Sequence, residues 1–388
     1  MNFTLHFPKQ ILFGCGKLKE LSQQTLPGQR AMVVISCGKS ARKNGSLDLV
    51  LSQLEAAGVS TVVYDGIEAN PNWDSIDRGG ALCRENGCDF VVALGGGSVI
   101  DSGKMIAILG TNPGSIWDYV STGTGGNRPI AVKPLPLVAI PTTSGTGSEV
   151  DFGASFSRLE TGEKVTVKDP CLTPVLTVID PLLTLHMPSH FMAYQGWDAL
   201  THSIEYLLNR EENVMCDMFA REAVRYAGEA LADAVNTADE AAHEKMALAS
   251  FLSGFAIGHG GVTSQHALEC AISGLYPELP HGAGLLLLSK AFFRFFIDKH
   301  VCDDVFVELA RLLGDAEAAS PDAFLDAIAR IQRDCHVDTL KMSDFGIDPA
   351  RFPEIIRNAR ISMGGGFQAD RYALSDEDCL QILEESYS

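Results

Sequence analysis

The chain has 388 residues, a length that at roughly 100–200 residues per domain points to two or three domains. With 46% hydrophobic and 20% charged residues, wholesale disorder is excluded, and a chain this long buries enough apolar surface to need no disulfide scaffold. A balance of 30 Lys+Arg against 49 Asp+Glu gives a formal charge of −19, which argues against a nucleic-acid partner and against docking on anionic membranes.

The amino terminus, MNFTLHFPKQ, has no basic stretch followed by an apolar one, so no signal peptide is expected, and no apolar run approaches the ~18 residues of a membrane span. The 10 cysteines are scattered without a CxxC pair, which predicts reduced thiols and a cytoplasmic protein. In chain order, the runs 31–36 (AMVVIS), 61–64 (TVVY), 90–94 (FVVAL) and 137–140 (LVAI) are continuously apolar, the pattern of strands covered on both faces. Helical stretches near 46–57, 74–86 and 99–109 lie between them, so the segment reads as βαβ units in a parallel sheet. A second group of β runs is expected near 152–157, 164–168 and 174–179. Beyond Pro188 the pattern is Ala- and Leu-rich and helical, over 191–208, 214–236, 239–258, 282–297 and 318–332. The expectation is an α/β domain over 1–182 and an all-α domain over 183–388, with a ligand cleft between them.

Strand 90–94 runs into Gly95-Gly96-Gly97-Ser98-Val99-Ile100-Asp101-Ser102-Gly103-Lys104. The free N–H groups and dipole at such a helix start attract phosphate, although a merely tight strand-to-helix turn has the same look. Two phosphate motifs nearly match and fail: GxGxxG needs Gly where Ile100 stands, and the P-loop needs Gly at Ser98 and Ser or Thr at Met105. A second loop, Pro141-Thr142-Thr143-Ser144-Gly145-Thr146-Gly147-Ser148-Glu149, follows the run 137–140, and two such loops would converge at one sheet edge. The first strand ends in Cys37-Gly38-Lys39-Ser40, with no carboxylate for a ribose 2′-hydroxyl; Gly38, Lys39 and Ser40 suit a 2′-phosphate, so NADP(H) is expected over NAD(H).

Asp198 and His202 fall four apart in GWDALTHSIEYLL and therefore on one helix face. His266 lies in another helical stretch, and His281 follows Pro280 in an expected turn. One carboxylate and three imidazoles suit Fe²⁺ or Zn²⁺, while an Asp-His pair at this spacing is also a common helix-surface contact. His259 is expected to wall the cleft or pack, and Phe152, Phe255 and Cys270 are further candidates for the pocket wall.

GGGSVIDSGK, PTTSGTGSEV, GWDALTHSIE and the late PHG occur in fixed order, and with them the chain resembles the iron-containing (group III) alcohol dehydrogenases of the dehydroquinate synthase-like superfamily along nearly its whole length. The resemblance implies a Rossmann-like N-terminal domain, an all-α C-terminal domain, and a metal-dependent, NAD(P)-linked dehydrogenase acting on a small alcohol or aldehyde. It implies Asp198, His202, His266 and His281 as the metal ligands through which catalysis runs. Gly96, Gly97, Ser98 and Asp101 match the pyrophosphate and nicotinamide-side turn, Thr142, Thr143 and Thr146 the second cofactor loop, and Lys164 a lysine bordering the nucleotide. The segment CGKSARKNG is similar to that of NADP-preferring members, and a homodimer or larger homo-oligomer is implied.

There are two departures from the family pattern. One extra residue falls within 276–280, and Cys270 stands where many members carry a second histidine, which makes it a candidate metal-adjacent thiolate. Within the same fold, a glycerol-dehydrogenase-like, hydroxy-acid dehydrogenase or maleylacetate reductase-like enzyme is the alternative. Outside catalysis, the alternative is an NADP(H) or metal sensor.

Overall fold

The computed structural model describes residues 3–211 and 213–387. The first half contains β1 (Gln10–Phe13), β2 (Arg30–Ser36), α1 (Ser40–Lys43), α2 (Ser46–Ala56), β3 (Ser60–Ile67), α3 (Trp73–Glu85), β4 (Phe90–Gly95), α4 (Gly97–Thr111) and β5 (Leu137–Pro141). The hairpin β6 (Gly153–Arg158) and β7 (Glu163–Lys168) then leaves the sheet, and β8 (Leu176–Ile179) returns to it. The six-stranded sheet has the order β1-β8-β5-β4-β2-β3, with every pairing parallel.

The continuous apolar runs are explained by burial on both sides. On β2, Met32 and Val34 face a core shared with α3 and α4, while Ala31, Val33 and Ile35 face α2 and the 3-10 segment holding Leu18 and Leu21. Chain order reverses between β2 and β4, so the loops leaving their carboxyl ends diverge and open a crevice there, the usual ligand position in such sheets. The expected second group of β runs divides. Residues 153–158 and 163–168 pair with each other antiparallel, and only β8 joins the main sheet.

The second half is helical: α5 (Ser189–Leu208), α6 (Val214–Asn236), α7 (Glu240–Gly260), α8 (Ser264–Leu275), α9 (His281–Asp298), α10 (Asp303–Leu312), α11 (Asp322–Asp334), α12 (Phe352–Ser362), α13 (Gly364–Ala369) and α14 (Asp376–Ser386). One apolar cluster runs through these helices, from Trp197 and Leu200 on α5 to Phe292 and Phe293 on α9 and Phe324 on α11. None of the described helices is by itself long and apolar enough to cross a membrane.

Two glycine contacts lock the halves together. A Cβ on Gly147, whose φ is +64°, would fall 2.2 Å from Gly254 Cα on α7, and one on Gly145 would fall 2.5 Å from the Gln195 carbonyl on α5. The 141–149 loop therefore presses backbone-to-backbone onto both helices, and the cofactor edge of the sheet faces the start of the helical half.

Candidate functional site

Among the described residues, one cavity of about 1060 Å³ lies between the sheet edge and the helices. Every metal and cofactor residue expected from the sequence lines it except Lys39, which precedes α1 and is exposed; its neighbours Gly38 and Ser40 do line it. The two loops meet as expected. A Cβ on Gly96 would fall 3.0 Å from Thr143 Cγ2, and one on Gly97 would fall 2.5 Å from Thr146 Cγ2, so these glycines admit the second loop against the first turn of α4.

Asp101, one turn into α4, faces the cavity. Ser148 Oγ donates to its Oδ1 and the Ser155 amide donates to its Oδ2 at 2.8 Å. Burial pushes this carboxyl up to about 6, against the opposing pull of Lys104. The Lys104 ammonium does not reach toward a phosphate. It is buried and donates to Ser148 Oγ, Asp151 Oδ1 and the Gly153 carbonyl, which accounts for the failed P-loop match.

The cluster of one carboxylate and three imidazoles assembles at the inner end. Asp198 Oδ1 lies 3.5 Å from Nε2 of His202, 3.5 Å from Nε2 of His266 and 3.5 Å from Nε2 of His281. These atoms come from α5, α8 and α9. A tetrahedral ion about 2.1 Å from each donor separates its donors by about 3.4 Å, which the three distances from Asp198 match; Asp198, His202 and His266 have ligand atoms within 4.8 Å of one another, and His281 also groups with Glu269 and Cys270. Both Asp198 oxygens and His266 Nε2 are buried without a hydrogen-bond partner, the mark of atoms whose partner is something other than protein. Burial opposes the charge on Asp198, yet His202, His281 and His266 hold its carboxyl well below the usual range. Burial pushes His202 down to about 3, whereas Glu205 and Asp198 overcome burial at His266 and push it up to about 10.

Sequence reasoning missed the carboxylates behind the imidazoles. His266 Nδ1 donates to Glu205 Oε1 from α5, and His281 Nδ1 donates to Glu269 Oε2 from α8. Glu205 and Glu269 are fully buried, and Glu205 Oε2 also accepts from the Thr263 amide at 2.7 Å and the Thr263 hydroxyl at 2.6 Å. Each helix thus supplies the carboxylate that orients the next helix's imidazole, leaving Nε2 free to face inward. The signal was a repeated HxxE, His202-Ser203-Ile204-Glu205 and His266-Ala267-Leu268-Glu269. That spacing suggests pairing within one helix, but the observed pairing crosses between helices.

Two expectations are corrected. His281 is the first residue of α9 rather than part of a turn, because the Pro280 carbonyl accepts from the amides of Ala283 and Gly284 and starts the helix. Gly282 is what brings it in: a Cβ there would fall 2.0 Å from the Tyr194 carbonyl, one turn before Asp198 on α5. Phe152 and Phe255 do not line the cavity, and His259 takes the packing role expected of it as the alternative to walling the cleft. Their rings pack on one another, with Phe255–His259 centroids 4.4 Å apart, and His259 Nε2 accepts from the His6 amide at 2.8 Å. Cys270 does line the cavity, and with no cation present burial pushes its thiol up to about 12, Glu269 and Asp198 adding to a rise that Lys164 only partly opposes. Lys164 Nζ donates to Ser273 Oγ at 2.9 Å and lies 3.9 Å from Glu269 Oε2, at the edge of the same cluster.

Comparison with known proteins agrees with this geometry. Residues 8–181 match the family described as iron-containing alcohol dehydrogenase, and residues 192–387 match the C-terminal part of the Fe-containing alcohol dehydrogenase family. The chain is 32% identical to 1,3-propanediol dehydrogenase of Klebsiella pneumoniae, with 99% of each chain covered. It is 28% identical to NADH-dependent butanol dehydrogenase B of Clostridium acetobutylicum, with 100% of each covered. A solved archaeal halo-thermophilic alcohol dehydrogenase from a Red Sea brine pool superposes with a TM-score of 0.94 at 32% identity, over 100% of this chain and 99% of that one.

The state of Cys270 is directly testable. Iodoacetamide at pH 8 is expected to label the exposed Cys37 and leave Cys270 unmodified in the folded protein, as read by peptide mass spectrometry. Labelling of Cys270 as fast as Cys37 would contradict the protonated, buried thiol.

Proposed function

This chain belongs to the iron-containing alcohol dehydrogenase family, and from that premise we propose that it interconverts a small alcohol and its aldehyde with NAD(P), using a divalent cation held by Asp198, His202, His266 and His281. The observation that carries the reading is the equal 3.5 Å approach of three imidazole Nε2 atoms to one buried carboxylate oxygen. When bound, such a cation supplies Lewis acidity toward an alcohol or carbonyl oxygen, and the nicotinamide supplies hydride transfer. The family is an iron family, whereas imidazole ligands hold Zn²⁺ more tightly than Fe²⁺; Fe²⁺ is our reading, with Zn²⁺ as the alternative occupant.

The chain's own residues have the following parts in this reading. Gly96, Gly97 and Ser98 bare the amides at the start of α4 for a pyrophosphate. Thr142, Thr143 and Thr146 offer hydroxyls to the adjoining cofactor groups, and Asp101, fixed by Ser148 and the Ser155 amide, holds a hydrogen-bonding group of the nicotinamide end. Lys164, oriented by Ser273, borders the nucleotide. Glu205 and Glu269 hold the two imidazoles in the tautomer that leaves Nε2 a lone pair. Cys270, whose thiol burial pushes up with no cation present, gives the cavity an uncharged wall, so the alcohol proton leaves by another route. At the nucleotide end Gly38, Ser40, Asn44, Ser46 and Glu68 line the cavity; NADP(H) over NAD(H) is read only from the absence of a carboxylate at position 38, since Lys39 is exposed and adds no charge to the cavity. The domain limits of 1–182 and 183–388, a cytoplasmic location and a homodimer complete the reading.

Two experiments test it. Replacing His281 by Ala is expected to strip the cation, measured by elemental analysis after dialysis, and to lower kcat/KM for aldehyde reduction more than about a hundredfold. Full metal content with unchanged turnover would remove His281 from the centre. Gly38→Asp is expected to lower kcat/KM for NADPH about tenfold or more relative to NADH, because a carboxylate repels a 2′-phosphate. An unchanged NADPH/NADH ratio would count against the nucleotide preference.

A further inference from the structure

On β7, Lys164, Thr166 and Lys168 alternate with buried residues, so all three point to the same side, and all three line the cavity. The two lysines differ in what they meet. Lys164, at the inner end, is buried with Glu269 and Ser273 beside it. Lys168 stands exposed at the rim and forms no salt bridge with a carboxylate among the described residues. Its Nζ donates to the Ile257 carbonyl at 3.4 Å, but that oxygen already accepts from the Gly261 amide at 2.7 Å. The nearest acid along the wall, Asp151, is held by the Lys104 ammonium and by the Gly153 amide at 3.3 Å.

The cavity has open space at Gly261 and Gly365, and the imidazole cluster lines the same cavity. A Cβ built on Gly261 or on Gly365 would meet nothing within 4 Å, and both residues line the cavity. Gly261 ends α7, and the next helix carries His266 five residues on. A cationic side chain with no salt bridge among the described residues therefore lines the same cavity as the imidazole cluster. The Lys168 ammonium also lies 5.3 Å from the centroid of the Phe152 ring, a cation–π contact that leaves it its charge.

We propose that Lys168 binds a negatively charged terminus on the substrate, so that the enzyme's substrates include short aldehydes and alcohols bearing a terminal carboxylate. This rests on the dehydrogenase reading above: the reacting carbon lies at the imidazole cluster and the carboxylate at the rim. The geometry asks for a small acid, since the distance between Lys164 and Lys168 along the strand is only about 13 Å and the lysine side chain spans part of it.

The test compares 4-oxobutanoate with its methyl ester, which keeps the chain and removes the charge, using metal-loaded enzyme and NADPH or NADH. For the native chain, kcat/KM is expected to favour the acid. In Lys168→Gln the acid-to-ester ratio of kcat/KM is expected to fall about tenfold or more, as for loss of a hydrogen bond to a charged group, and Lys168→Arg is expected to restore most of it. A ratio unchanged by Lys168→Gln would overturn the proposal. So would an effect confined to the KM of the nucleotide, which would give the lysine to a cofactor phosphate. If the native enzyme reduces neither compound nor a panel of neutral aldehydes while it still binds metal and nucleotide, the dehydrogenase reading itself falls and takes this one with it. Turnover of neutral aldehydes without a carboxylate preference overturns this proposal alone.

Discussion

A buried carboxylate whose oxygens have no hydrogen-bond donor is unstable unless a cation meets it, and Asp198 is such a carboxylate. The helical half is arranged around that requirement. α5 brings Asp198 and His202 on one face, α8 brings His266, and the start of α9 brings His281. Glu205 and Glu269 add two more buried carboxylates just outside the imidazoles, the second of them 3.9 Å from the Lys164 ammonium. The electrostatics lean the same way, since Glu205 and Asp198 raise the His266 pKa against burial while burial lowers that of His202. A divalent cation satisfies the same demand with better geometry than a proton, because it meets four donors at once.

The glycines explain how such a cluster is reached. Gly282 lets the first turn of α9 touch the α5 backbone beside Asp198, and the absence of a side chain on Gly284 leaves room for Glu269, whose Cγ would lie 2.8 Å from a Cβ there. On the other side of the cavity, Gly96 and Gly97 let the threonine loop close on α4. Both sets serve close backbone approach, one to seat the imidazoles and the other to leave amides bare for an anion. The cation centre and the anion cradle therefore share one cavity, a layout that suits a negatively charged nucleotide beside a polarised oxygen.

Much of this was legible in the residues. The continuous runs on β2, β4 and β5 declare two-sided burial, and the Asp198-His202 interval declares a shared helix face. What was not legible depends on direction in three dimensions. Nothing local distinguishes β6 and β7, which pair with each other, from β8, which joins the main sheet. Phe152, Phe255 and His259 carry the composition of a pocket wall, but their rings turn to one another and to His6. The HxxE repeats are visible as spacing, yet their pairing across helices follows from packing. His281 reads as a turn residue after proline, and only the Pro280 carbonyl's two bonds make it a helix start.

The central claim is that one oxygen and three imidazole nitrogens form the metal's coordination shell. X-ray absorption spectroscopy of the zinc-loaded protein reads that shell directly. The account predicts a first shell of nitrogen and oxygen alone at about 2.0–2.1 Å, with the multiple-scattering pattern of three imidazoles. A sulfur at about 2.3 Å would place the ion on the neighbouring Glu269, Cys270 and His281 group instead, and would contradict it.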